Sequence, residues 1–178
     1  LKLIWDDLKY VTEAVDKRLD YTVAEAISTG TITITADNNP DGIVVGTIEL
    51  EMPAENKINA STDWSDAANS KPITDITNLV NGAYAKGKTF AKMLIDNTAF
   101  LQFMQSKEVK DTVGTFFGLS AAARNSQTAP LTSDRINEYM TAAKLPIFEI
   151  VDIRVPIEKD GNVSILQPFK AANIAFIP

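Results

Sequence analysis

Apolar residues recur at Ile4, Leu8, Val11, Val15, Leu19, Val23 and Ile27, at spacings of three or four. That period predicts an amphipathic helix. Asp6, Asp7, Glu13, Asp16, Asp20 and Glu25 fall between these positions and are assigned to its solvated side. Gly30 stands where a C′ glycine would end it. A helix of about 28 residues measures roughly 42 Å. In a chain of 178 residues such a rod is expected to extend past its own core.

After Gly30 the period changes to two. Thr31 to Thr35 predicts one strand and Val44 to Met52 another, with the turn-rich Asp37-Asn38-Asn39-Pro40-Asp41-Gly42 between them, the pattern of a hairpin. Residues 53–72 form a polar connection around Thr62-Asp63-Trp64-Ser65-Asp66. Pro72 suits the first turn of a helix whose apolar positions are Ile73, Ile76, Leu79, Val80 and Ala83. Thr89 to Ile95 predicts a buried strand, and Asp96 or Asn97 caps a short helix carrying Phe100, Leu101 and Met104. Gly114 to Pro130 is rich in Ala, Ser and Gly and is assigned to a surface loop. Ser133 or Asp134 caps a helix with Ile136, Met140 and Ala143, which Pro146 terminates. Ile147 to Ile157 and Val163 to Leu166 flank Lys159-Asp160-Gly161-Asn162, a second hairpin, and Ala172 to Ile177 is the final strand. One long helix, several short ones and antiparallel pairs indicate an α+β protein.

Composition narrows the chemistry. The chain is 45% hydrophobic with a net charge of −6, a globular balance and not a disordered one. It contains no Cys and no His. That removes disulfides, thiolate metal sites, cysteine nucleophiles, Ser-His-Asp triads and imidazole bases. The acidic balance, without a run of Lys and Arg, argues against nucleic-acid binding through this segment, sequence-specific binding included, since affinity for phosphates needs clustered cations. Leu1 to Val11 is broken by Asp6, Asp7 and Lys9, so no signal-peptide core is expected there, and no apolar run reaches membrane-spanning length. The start at Leu1 and the apolar run before Pro178 lead us to expect a piece of a longer protein.

One string does look like catalytic machinery. Gly82-Ala83-Tyr84-Ala85-Lys86-Gly87-Lys88-Thr89 satisfies G-x-x-x-x-G-K-[ST]. In a phosphate-binding loop Gly82 and Gly87 would let backbone N–H groups cradle phosphates, Lys88 would reach the terminal phosphate, and Thr89 would bind Mg²⁺. Such a loop needs a strand before it and a helix after it. Here the pattern runs helix, turn, strand, so the motif is read as a connection, with a P-loop nucleotide hydrolase kept as the alternative. Asp63 and Asp66 could act as paired carboxylates, but at this spacing Asp residues more often cap loops. Trp64, Phe116 and Phe117 are large apolar groups in segments assigned to loops. They either fold back on the core or bury against a neighbouring subunit. No catalytic residue, cofactor or metal is expected.

Several strings, taken in order, resemble the major capsid protein family of lambda-type tailed bacteriophages. They are Ala26-Ile27-Ser28-Thr29-Gly30 running into Thr31-Ile32-Thr33-Ile34; Thr62-Asp63-Trp64-Ser65-Asp66 with Lys71-Pro72-Ile73-Thr74-Asp75-Ile76; Ala91-Lys92-Met93-Leu94-Ile95-Asp96; and later Ile150 to Val155, Lys159-Asp160-Gly161 and Ile174-Ala175-Phe176-Ile177-Pro178. The resemblance implies a tailed-phage capsid-like fold: a spine helix with a peripheral antiparallel sheet and a mixed axial domain. On this scheme residues 1–72 hold the spine helix and peripheral hairpin, 73–150 mainly the axial domain, and 151–178 the strands returning to the peripheral domain. It further implies a non-enzymatic structural subunit of an icosahedral phage or prophage shell, self-assembling into hexamers and pentamers around DNA. Its partners would be copies of itself, with scaffold, decoration or portal proteins. Its place would be the virion, with assembly in the bacterial host cytoplasm and no membrane association. Trp64, Phe116 and Phe117 are then the candidate subunit-interface residues.

Overall fold

The computed structural model describes residues 2–36, 38, 44–125, 131–159 and 161–178. In chain order the elements are α1 (Lys2–Thr29), β1 (Thr31–Ile34), β2 (Gly46–Glu49), α2 (Pro72–Tyr84), β3 (Lys92–Ile95), α3 (Asn97–Gln105), α4 (Lys107–Phe116), α5 (Ala121–Asn125), α6 (Ser133–Ala142), β4 (Ile147–Ile150), β5 (Val155–Lys159), β6 (Asn162–Leu166) and β7 (Ile174–Ile177). A short 3-10 turn covers Ala54–Asn56. The mixture is α+β, as the pattern predicts. The chain divides into two compact units, residues 1–57 with 152–173 and residues 58–151 with 174–178.

In the first unit α1 runs for 28 residues. The Gly30 N–H donates to Ala26 O at 2.8 Å, and Gly30 takes φ +71°, the left-handed geometry of a C′ glycine. The sharp exit turns the chain straight into β1, which pairs antiparallel with β2 from Thr31↔Glu49 to Ile34↔Gly46. Most of the expected turn at 37–42 lies outside the described residues. Within it, Asn38 accepts from Thr35 N–H at 2.9 Å and donates to Thr33 O at 2.6 Å. Strands β5 and β6 form a second antiparallel pair, Val155↔Leu166 through Lys159↔Asn162.

Helix α1 holds its own unit through one side. Tyr21 and Ala24 are buried, the Arg18 guanidinium lies 5.1 Å from the Tyr21 ring centre and donates to Asn38 O, and Ser28 Oγ accepts from Lys170 N–H. Asn173 Nδ2 donates to Ser28 O at 2.6 Å, which ties down the same turn.

The second unit carries the continuous core. Its sheet has the order β4-β3-β7, with β3 parallel to β4 and antiparallel to β7. Met93 and Ile95 of β3 are fully buried beside Ile73, Ile76, Phe100, Phe103, Val109, Val113, Ile136, Met140 and Phe148. The Phe103 ring packs at a tilt against Phe148 at 4.6 Å and against Trp64 at 5.5 Å between ring centres. Asp96 is the residue that caps α3, its side chain accepting from Thr98 N–H at 2.7 Å. Glu108 of α4 caps α2 from outside that helix, accepting from the Ile73 and Thr74 N–H groups and from the Thr74 hydroxyl. Ser70 and Ser106, both buried, bond to each other where α4 begins.

Four expectations need correction. The run Ile147 to Ile157 is not one strand: β4 and β5 belong to different sheets, and residues 151–154 between them have no strand geometry. An unbroken apolar run carries no mark of a switch between sheets. Helix α4 and helix α5 occupy part of the expected loop from Gly114. Val109 and Val113 anchor α4 in the core, and Ala121–Ala123, good helix formers, outweigh their loop-like composition. The α6 cap is Thr132, whose side chain accepts from Arg135 N–H, and not Ser133 or Asp134. Residues 58–71, grouped by sequence with the first segment, pack in the second unit, because Trp64 lies against its core.

Candidate assembly surfaces

The string Gly82 to Thr89 has the order read from the sequence. Gly82 lies inside α2, Gly87 takes φ +72° in the turn that follows, and Lys88 and Thr89 lie exposed ahead of β3. A phosphate cradle requires a strand before the first glycine and a helix opening at the Lys-Thr pair. Both are replaced by their opposites, so the helix-end N–H groups that would bind phosphate are not there.

Asp63 and Asp66 cap the loop. Asp63 accepts from Ser65 N–H at 2.8 Å, while Asp66 accepts from Ala68 N–H, Asn69 N–H and Asn69 Nδ2. These bonds hold both carboxyls below the ordinary carboxylate range, Asp63 through Ser65 and Asp66 through Asn69. Such groups are committed acceptors. A small cleft of about 280 Å³ nearby is lined by residues including Lys71, Lys107, Glu108 and Asp111. Three of its four charges are also committed: Lys107 pairs with Asp111, and Glu108 caps α2.

The three aromatic candidates separate. Trp64 folds back onto the core, with its Nε1–H directed at Asp75 Oδ2 across 3.4 Å. Phe117 is partly buried against the core and carries the Arg135 guanidinium 5.3 Å from its ring centre. Phe116 is 48% exposed and stands edge-on to Phe117 at 5.0 Å and to Tyr139 at 5.6 Å. Burial, then the charge of Glu108, raise the Tyr139 hydroxyl above its usual range. Phe116 therefore crowns a supported aromatic cluster with an arginine beside it, the composition of an interface anchor.

The larger surface lies in the first unit. Leu8, Val11, Val15, Leu19 and Val23 of α1 are each more than half exposed. At 100° per residue their stripe is centred about 170° from the Tyr21, Ala24 and Ser28 side that holds the helix. The long helix is thus apolar on the side facing away from its own unit. Val44, Val45, Ile48, Leu50 and Met52 are exposed around β2. Val163 and Ile165 of β6 are each 67% exposed and share a face with Pro156. Sequence reasoning chose aromatics in loops and missed these aliphatics. The period-3.6 stripe of α1 is plain in the sequence, but the period alone does not say which chain covers it.

These features define an α+β protein whose unusual property is uncovered apolar surface, and the family it belongs to is consistent with that. The family model for phage major capsid protein E matches residues 1–155, and the chain belongs to that family of structural virion proteins. No curated protein matches the chain. Among the described residues no helix is long and apolar enough to cross a membrane.

Proposed function

We propose that this chain is a structural subunit of an icosahedral phage or prophage capsid, assembling with copies of itself into hexamers and pentamers around DNA. One observation carries the reading. Among the described residues, the first unit buries five apolar side chains, Tyr21, Ala24, Val155, Pro168 and Phe169, and exposes thirteen large ones. A soluble protein leaves single apolar residues exposed as a matter of course, but not one whole side of its longest helix.

The magnitudes favour many contacts per subunit. Fully burying a Val or Leu is worth about 1.5–3 kcal/mol. Five side chains already partly covered would therefore supply roughly 5 kcal/mol. Association costs an estimated 4–15 kcal/mol, so the helix stripe alone yields a weak contact. Several such patches, engaged together in a closed ring or shell, add through effective concentration. Phe116 is one further proposed contact, and scaffold, decoration or portal proteins are proposed partners. The virion is the proposed destination, with assembly in the host cytoplasm.

The test uses the complete protein, with electron microscopy and sedimentation as readouts. Wild type is expected to form rings or shells. Val15→Asp and Leu19→Asp are expected to leave discrete subunits whose stability changes by no more than about 0.5 kcal/mol, as befits exposed positions. Wild type that stays monomeric under all assembly conditions, or charged variants that assemble normally, would refute the proposal.

A further inference from the structure

Strand β4 is an outer strand of its sheet, and its segment Ile147-Phe148-Glu149-Ile150-Val151 is β-prone with a single charge. Such a strand is a template for pairing with another chain. The direction of its free groups follows from the parallel ladder to β3. Ile147 N–H donates to Ala91 O at 3.3 Å and Val151 N–H to Ile95 O at 2.8 Å, so Phe148 and Ile150 turn their backbone groups outward. Ile147 and Ile150 expose apolar side chains beside that edge.

The outward pair at Phe148 is already occupied by a side chain. Phe148 N–H donates to Asn137 Oδ1 at 2.8 Å, and Asn137 Nδ2 donates to Phe148 O at 3.0 Å. One carboxamide thus makes both bonds that an incoming strand would make at this residue. Asn137 is held in place by α6, whose Ile136 and Met140 are fully buried on either side of it. Asp could accept from the N–H but would repel the carbonyl, and Leu could do neither.

We infer that Asn137 is a specificity-determining residue: its carboxamide denies the edge of β4 to sheet extension by another copy of this chain. The inference does not rest on the capsid proposal. It concerns which association is prevented, and it would hold for any protein kept at high concentration with this edge.

The test compares wild type, Asn137→Leu, and Asn137→Leu combined with Ile150→Pro, all in the complete protein. Proline removes the outward N–H at Ile150, which the ladder to β3 does not use, and blocks the edge by a different route. Asn137→Leu is expected to give thioflavin-positive, sheet-linked aggregates, and the double variant to return to the wild-type size distribution. In wild type the Phe148 amide is expected to exchange with solvent at least tenfold more slowly than the outward amide of Ile150. A folded, monodisperse Asn137→Leu protein would overturn the inference. So would aggregation that the proline does not relieve, since that would arise from unfolding, and so would equal exchange at Phe148 and Ile150.

Discussion

Gly114 shows how one missing methyl group can join two helices. It lies in α4, and a Cβ built there would come within 2.6 Å of Arg124 Cγ and Cδ. The Arg124 guanidinium crosses this spot to donate to Asp111 O and to the Thr115 hydroxyl, while its Nε is buried without a partner. Replacing a helical Gly with Ala normally stabilises by about 1 kcal/mol. Here Gly114→Ala is expected to destabilise by roughly 1–2 kcal/mol, because overpacking displaces the arginine. In an Arg124→Ala background the same change should become stabilising by about 1 kcal/mol. Denaturant melts of the four proteins check that reversal of sign. The sequence does not reveal this pair: Gly114 sits in a stretch whose composition resembles a loop, and only the crossing of α5 over α4 gives the glycine its reason. The α3 cap was legible to within one residue, Asp96 or Asn97, because both are capping residues directly before a short apolar-periodic run, and Asp96 is the one that caps.

At the scale of elements, carboxylates do much of the joining in the second unit. Asp63 and Asp66 shape the connection ahead of α2, and Asp111 is held below the ordinary carboxylate range by its bond from Lys107. A carboxyl depressed in the folded state contributes stability that is complete above its unfolded pKa, near pH 4. That contribution is lost as the pH falls through the folded value. The melting temperature is therefore expected to stay level in this respect from pH 8 to 5 and to drop below pH 4. Asp66→Asn should show a smaller acid drop than wild type, because it removes one of the titrating groups. An unchanged acid profile in that variant would count against the assignment. Helices α1, α2, α3 and α6 and the β5–β6 hairpin were legible, since each has its own period, cap or turn. Helix α4 was not. Only Val109 and Val113 mark it, and its strongest restraint, the bond from Glu108 to the start of α2, spans 35 residues.

For the molecule as a whole, the unequal distribution of buried apolar groups predicts unequal local stability. Amides around Met93 and Phe103 are expected to exchange most slowly in the unassembled subunit, and those of residues 8–19 quickly, because among the described residues the contacts that hold α1 lie from Arg18 to Ser28. On assembly residues 8–19 should gain protection while the core of the second unit changes little. Equal protection of both units before assembly would contradict this. The family resemblance was legible because short strings recur in a fixed order along the chain. The uncovered stripe of α1 was not, because an amphipathic pattern reports that a side will be buried and not by which chain. The exchange of strands between units was also hidden, since the apolar run after Pro146 looks the same on both sides of the switch.

The pairing of β7 with β3 has a consequence in time. Ile95 faces Ile174 across that ladder, so the sheet of the second unit lacks its third strand until about 80 further residues have been translated. At 5–20 residues per second that wait lasts roughly 4–16 s. A nascent chain therefore lacks the third strand of this sheet throughout that interval, and β3 meanwhile has one of its two edges without its final neighbour.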